Sequence, residues 1–160
     1  NHKTVIFSQY TRMLQIMRED FEQRGISFSY LDGSTKNRLE IVKEFNENPK
    51  IPVFLVSLKA GGVGLNLVGA DTVIHYDMWW NPAVEKQAED RAYRIGQTNR
   101  VMVHKFICRG TVEERIDEMI ERKKNLAERV LEGTGGEGWI TELSNKELRE
   151  IFTLKLTAEE

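Results

Sequence analysis

The chain has 160 residues, 40% of them hydrophobic and 30% charged, which fits one globular domain with a sizeable buried core. No apolar run reaches membrane-spanning length and no signal peptide is visible, while a single cysteine, Cys108, excludes a disulfide framework and points to a reducing compartment. The net charge of −2 argues against a strongly basic nucleic-acid binder. It hides an asymmetry: residues 1–110 carry 15 Lys+Arg against 12 Asp+Glu, and residues 111–160 carry 8 against 13. Any nucleic-acid contact must therefore come from local clusters on loops. The chain starts at Asn1 directly before an apolar run and reads as a piece of a longer protein.

In chain order, Thr4–Ser8 (TVIFS) is a β-branched and aromatic run, a strand. Arg12–Arg24 follows as a helix, with Met13, Met17 and Phe21 at helical spacing beside Leu14 and Ile16, and Gly25 ends it. Ile26–Leu31 alternates as a strand that Asp32–Thr35 breaks, and Asn37–Asn46 is helical with Leu39, Val42 and Phe45 on one side. Val53–Ser57 (VFLVS) is apolar enough for a central strand buried on both faces. Thr72–Tyr76 is a further strand, Pro82 opens a helix, Val101–Ile107 alternates as a fifth strand, and Val112–Leu131 is a long amphipathic helix. Gly133–Gly138 is a flexible linker, Trp139, Ile140 and Leu143 can dock on a core, and Ser144–Phe152 is a short helix with a Ser144/Glu147 capping box. The expected division is a domain over 1–132 and a linker with a helical tail over 133–160.

Alternating strands and helices mean an α/β fold: a mostly parallel central sheet with helices on both faces. In such sheets ligands bind beyond the carboxyl ends of the strands. The segments there are Ser8-Gln9, Asp32–Thr35, Lys59 to Asn66 and Asp77 to Asn81, all expected on one edge. Ser8, Gln9, Ser34 and Thr35 can hydrogen-bond phosphates, although such residues also cap helices. Lys59 is the loop cation best placed for a phosphate.

Leu58–Leu67 (LKAGGVGLNL) holds glycines at 61, 62 and 64, which let backbone amides approach a phosphate or ribose. It lacks the Lys-Ser/Thr ending of a Walker A loop, and a tight structural turn explains the glycines equally well. Trp79 and Trp80 flank a turn, where a tryptophan can stack on a nucleotide or cover the core; Trp79 is assigned to the core. In QAEDRAYRIGQT, Gln87, Arg91 and Arg94 fall at i, i+4 and i+7 on one helical stripe beside an apolar stripe of Val84, Ala88, Ala92 and Ile95. Arginine forks at the rim of a packed face can grip phosphate oxygens. A solvated basic edge paired with Glu85 or Asp90 is the plainer account of this helix taken alone. His2, His75, His104 and Cys108 offer no metal-ligand spacing, and Cys108 reads as a small buried hydrophobe.

Together these segments resemble the second RecA-like lobe of SWI/SNF-type ATPases, the helicase-like DNA translocases of superfamily two. VIFSQY, YLDGST, VSLKAGGVGLNL, IHYDMWWNP and QAEDRAYRIGQ stand in the family's order between about Thr4 and Leu131. The resemblance implies a RecA-like three-layer sandwich that closes on a first lobe bearing the Walker residues, with ATP and Mg held mostly by that lobe. Double-stranded DNA, without sequence specificity, would run across both. By position, Arg91 and Arg94 match the arginine fingers; Gly62, Gly64, Asn66 and Gln87 match nucleotide-side residues, Asn66 towards the ribose. Ser8, Gln9, Gly33, Ser34, Lys59 and Trp80 match positions near DNA. Arginine fingers accelerate related phosphoryl transfers by roughly a thousandfold or more. The segment Thr35–Phe45 is shorter than in many members, so no DNA contact is carried over to the head of that helix. Nothing transfers to the tail after Gly133. The long helix before it resembles the family's brace, and a plain amphipathic closing helix explains it as well.

The resemblance implies an intracellular protein of cytoplasm, nucleoid or nucleus, no membrane partner, and a monomeric piece without ATPase activity of its own. The competing readings are a non-catalytic DNA- or protein-binding module that has kept the fold, and an unrelated doubly wound enzyme. The second would need a catalytic group at the ligand edge, and His75 and His104 both lie inside strands.

Overall fold

The computed structural model describes residues 2–60, 65–79, 82–90, 92 and 100–131. The elements are β1 (Thr4–Ser8), α1 (Thr11–Gln23), β2 (Phe28–Leu31), α2 (Arg38–Glu47), β3 (Val53–Ser57), β4 (Thr72–His75), α3 (Pro82–Glu89), β5 (Met102–Lys105) and α4 (Val112–Leu131). The five strands form one parallel sheet in the order β2-β3-β1-β4-β5. β1, inner and flanked by β3 and β4, aligns Phe7 with Val56 on one side and His75 on the other.

Strand register sorts the side chains between the two faces. One face carries Leu31, Phe54, Val56, Val5, Phe7 and Val73, joined in a single core cluster with Val42 and Phe45 of α2, Ala88 of α3 and Ala92 just beyond it. The rings of Phe45 and Phe54 meet at 5.0 Å between centroids. The other face receives α1: Phe21 lies against Phe28, and the Arg18 guanidinium sits 5.9 Å from the Tyr30 ring. The sheet thus has helices on both faces, as right-handed crossovers require when β1 to β2 runs one way along the sheet and the later connections run back.

Local chemistry explains where several elements stop. After α1, Gly25 takes φ +66°, its N–H donates to the Glu22 carbonyl, and the Ile26 N–H donates to the Phe21 carbonyl. This paired closure needs a residue at ease in the left-handed region, and it uses Ile26, so β2 starts at Phe28 rather than at Ile26. In α2, Val42 and Phe45 are buried, but Leu39 is 79% exposed and Ile41 takes its place against the core. Every residue of β5 is exposed; it is an edge strand, and it is shorter than the expected Val101–Ile107.

The chain divides into two compact units, Asn1–Phe106 and Ile107–Glu160. α4 belongs to the second. At its start the Cys108 and Gly110 N–H groups donate to the carboxylates of Glu113 and Glu114, which settle the approach to the helix. Cys108 is exposed in this turn, not buried, and Glu113 beside it raises its thiol pKa. The linker and tail expected over 133–160 lie outside the described residues.

Candidate functional site

At the carboxyl edge the loop order follows the strand order: Asp32–Thr35 after β2, Lys59 after β3, Gln9 and Tyr10 after β1, Asp77 to Trp79 after β4. Neighbouring parallel strands are about 5 Å apart, so the first three loops span about 10 Å. Lys59 is exposed there, and Gly33 stands with open space around its Cα.

Two serines at this edge bond to loop carboxylates, one buried and one exposed. Ser8 is fully buried; its hydroxyl donates to the Asp77 carboxylate and accepts the Tyr10 N–H. Asp77 also accepts the Gln9 N–H at 2.9 Å, and the Gln9 carboxamide donates to the Met78 carbonyl at 3.0 Å. Ser34 gives both its N–H (2.8 Å) and its hydroxyl (2.6 Å) to Asp32 Oδ1. A serine hydroxyl has one proton; that of buried Ser8 is used on Asp77, while Ser34 stands exposed at the loop surface with its hydroxyl on Asp32. Both are loop-shaping residues. The Ser34 hydroxyl holds the Asp32 carboxyl below the ordinary aspartate range. Arg38 completes the loop, its Nε and terminal nitrogen donating to the carbonyls of Thr35 and Gly33.

The glycine-rich segment does not stay on one edge. Lys59 follows β3 at the carboxyl edge, but Asn66 lies at the other end of the sheet. Its carbonyl accepts from Asn46 Nδ2 at 2.8 Å, and Asn46 belongs to the last turn of α2, next to the starts of β1 and β3. Leu65 and Leu67 on either side of it are buried in the core. Asn66 itself is exposed.

α3 is tied to the sheet by a buried polar cluster. Glu85 is 1% exposed; it accepts the Trp79 N–H at 3.0 Å and pairs with Lys105 at 2.5 Å. His75, stacked on Phe7, lies 3.4 Å from Glu89 and holds that carboxyl below its usual range. Trp79 packs against the core cluster, as expected. Helical structure ends at Glu89: the Asp90 N–H still reaches Lys86, but the Ala92 N–H bonds to Glu89 with the tighter three-residue spacing. Of the stripe drawn from Gln87 through Arg94, Arg91 and Arg94 fall outside the described residues. Ala88 and Ala92 are buried as the apolar stripe required, and Gln87 is exposed. Gly62, Gly64, Trp80, Arg91 and Arg94 lie outside the described residues.

Sequence reasoning missed Lys105 and Asn46, and with them the pairing of Glu85 with Lys105. A lysine in an edge strand and an asparagine at a helix end carry no local signal of their long-range partners. The one available hint was a glutamate inside an otherwise apolar approach to the Ala88–Ala92 stripe.

The model of the helicase conserved C-terminal domain matches residues 1–96. The helicase/translocase-type protein YwqA of Bacillus subtilis is 48% identical over 161 residues, which take in 99% of this chain and 17% of that protein. The chromatin-remodeling ATPase INO80 of Aspergillus oryzae is 43% identical over 150 residues, 92% of this chain and 10% of its own length. Among solved structures, the SWI2/SNF2 ATPase core of Sulfolobus solfataricus superposes with a TM-score of 0.70 at 40% identity, over 97% of this chain and 32% of that one. The C-terminal part of the Fun30 ATPase domain gives a TM-score of 0.71 at 40% identity, over 74% and 38%. The chain thus spans less than a fifth of the length of YwqA and of INO80. With a five-stranded parallel sheet between helical layers and this likeness, the chain belongs to the helicase conserved C-terminal domain family, in its SWI2/SNF2-type, RecA-like form.

Proposed function

We propose that this chain is the second motor lobe of an ATP-driven double-stranded DNA translocase. The observation that carries the reading is the row of adjacent strand ends at the carboxyl edge, where exposed Lys59 stands between the Gly33 and Gln9 loops. A backbone-tracking surface needs this arrangement: a cation and main-chain groups spaced along one edge, with no base-reading helix. Gln9, Gly33, Lys59 and Trp80 then face the DNA backbone, and Ser8 and Ser34 shape the loops that present them. ATP with Mg is held mostly by the first lobe. Gly62, Gly64, Asn66 and Gln87 approach it from this side, and Arg91 and Arg94 neutralise charge on the phosphoryl group in flight.

The anchoring of α3 by buried Glu85, with half-buried Glu89 beside His75, supports the reading, because a guanidinium that reaches into a neighbouring lobe needs a rigid base. The alternative of a non-catalytic module requires no such anchor. By itself the chain lacks the first lobe's phosphate contacts and should not turn over ATP.

The test is hydrolysis by the two-lobe protein with and without duplex DNA. DNA-stimulated turnover that falls roughly a thousandfold or more in Arg94→Ala supports the proposal. Turnover by the isolated chain, or hydrolysis unchanged when both arginines are replaced, overturns it.

A further inference from the structure

One asparagine closes the far end of the glycine-rich segment. The Asn46 carboxamide donates from Nδ2 to the Asn66 carbonyl at 2.8 Å and accepts the Gly69 N–H on Oδ1 at 2.9 Å. Both hydrogen-bonding sides of one amide are thus used on residues 66 and 69. The approach is close enough to exclude a side chain: a Cβ on Gly69 would lie 2.8 Å from both Cα and Oδ1 of Asn46. Asn46 is itself held. Lys3 donates from Nζ to the carbonyls of Phe45, Asn46 and Asn48, and its ammonium lies 5.0 Å from the Phe45 ring centroid. The end of α2 and the approaches to β1, β3 and β4 therefore meet at one node.

This node differs from ordinary loop packing in what it leaves outside. Leu65 and Leu67 are buried and already anchor the chain on both sides of Asn66. What Asn46 adds is the orientation of the Asn66 peptide, while the Asn66 side chain stays exposed. We infer that Asn46 is a positioning residue for the nucleotide: it fixes the Asn66 main chain so that the exposed carboxamide is preset for a nucleoside triphosphate, at the edge opposite Lys59. The inference rests on the motor-lobe reading. It assigns nucleotide affinity to the amino edge and DNA affinity to the carboxyl edge, so the two can be perturbed separately.

The test uses the two-lobe protein, with ATP KM and kcat from DNA-stimulated hydrolysis and duplex affinity from fluorescence anisotropy. Asn46→Ala removes both bonds and is expected to raise the ATP KM about tenfold, with kcat within about twofold and DNA affinity unchanged. Asn46→Asp is nearly isosteric and keeps the acceptor for Gly69, but sets an oxygen against the Asn66 carbonyl; the same rise in KM is expected. If Asn46→Ala does not fold, Asn46→Asp decides by the same criterion. An unchanged KM, or a parallel loss of DNA affinity, overturns the inference, since a merely structural role would move both. Replacing both Arg91 and Arg94 by alanine separates the two levels. If hydrolysis is left intact, the motor reading with its arginine assignment fails; if hydrolysis stops while the Asn46 variants keep the original KM, the inference alone fails.

Discussion

Replacing Lys105 by methionine would strand a carboxylate in the core. Glu85 is 1% exposed and sits 2.5 Å from the Lys105 ammonium. With an effective dielectric constant of about 20, that separation corresponds to an attraction of about 7 kcal/mol before desolvation is subtracted. Removing one partner of a fully buried pair typically costs about 3–5 kcal/mol. Here the lysine side chain is 39% exposed, so water replaces part of what is lost, and Glu85 keeps the Trp79 N–H. The expected cost of Lys105→Met is about 2 kcal/mol, after discounting for solvent screening. Adding Glu85→Gln removes the stranded charge while keeping an acceptor for Trp79. The double variant should recover to within about 1 kcal/mol of the parent, a clear departure from additivity. Urea unfolding of the chain and of the three variants measures this. A loss below about 0.5 kcal/mol in Lys105→Met, or a double variant equal to the sum of the singles, would refute the argument that this pair anchors α3.

Two further outcomes follow from the carboxyl edge. Lys59→Ala should weaken duplex binding by the two-lobe protein equally for all sequences and reduce the slope of log affinity against log salt by about 0.9; an unchanged slope would remove Lys59 from the DNA face. Hydrogen bonding from Ser34 lowers the Asp32 pKa in the folded state, so its stabilising contribution is present above the unfolded value of about 3.9 and is lost as pH falls through the lower folded value. Ser34→Ala should therefore flatten the acid limb of the stability profile and leave pH-independent losses elsewhere. An acid limb as steep as the parent's, followed by urea midpoints from pH 6 to pH 2, would count against it.

Most of the architecture was readable because it depends on short-range pattern. Thr4–Ser8, Val53–Ser57 and Val112–Leu131 have the expected bounds, since apolar period and β-branching report burial locally. Element ends were less readable where two motifs compete for one residue. Ile26 looks like strand and is taken by the helix cap; Leu39 fits the stripe of α2 and points to water because Ile41 fills the same face.

The order of residues along the chain determined the family blocks, the alternation that makes the sheet parallel, and the cationic and glycine-rich character of the strand-end loops. Only the tertiary structure decided which polar groups are paired inside the fold. Ser8 reads as a loop-end hydroxyl until it is found buried and donating to Asp77, and Glu85 looks like a surface partner until Lys105 arrives from twenty residues away. It also decided that Lys59 and Asn66, seven residues apart, sit at opposite ends of the sheet. The reason is that a hydrogen bond is settled by which donor and acceptor the packed layers bring within 3 Å, and that pairing joins positions with no relation along the chain.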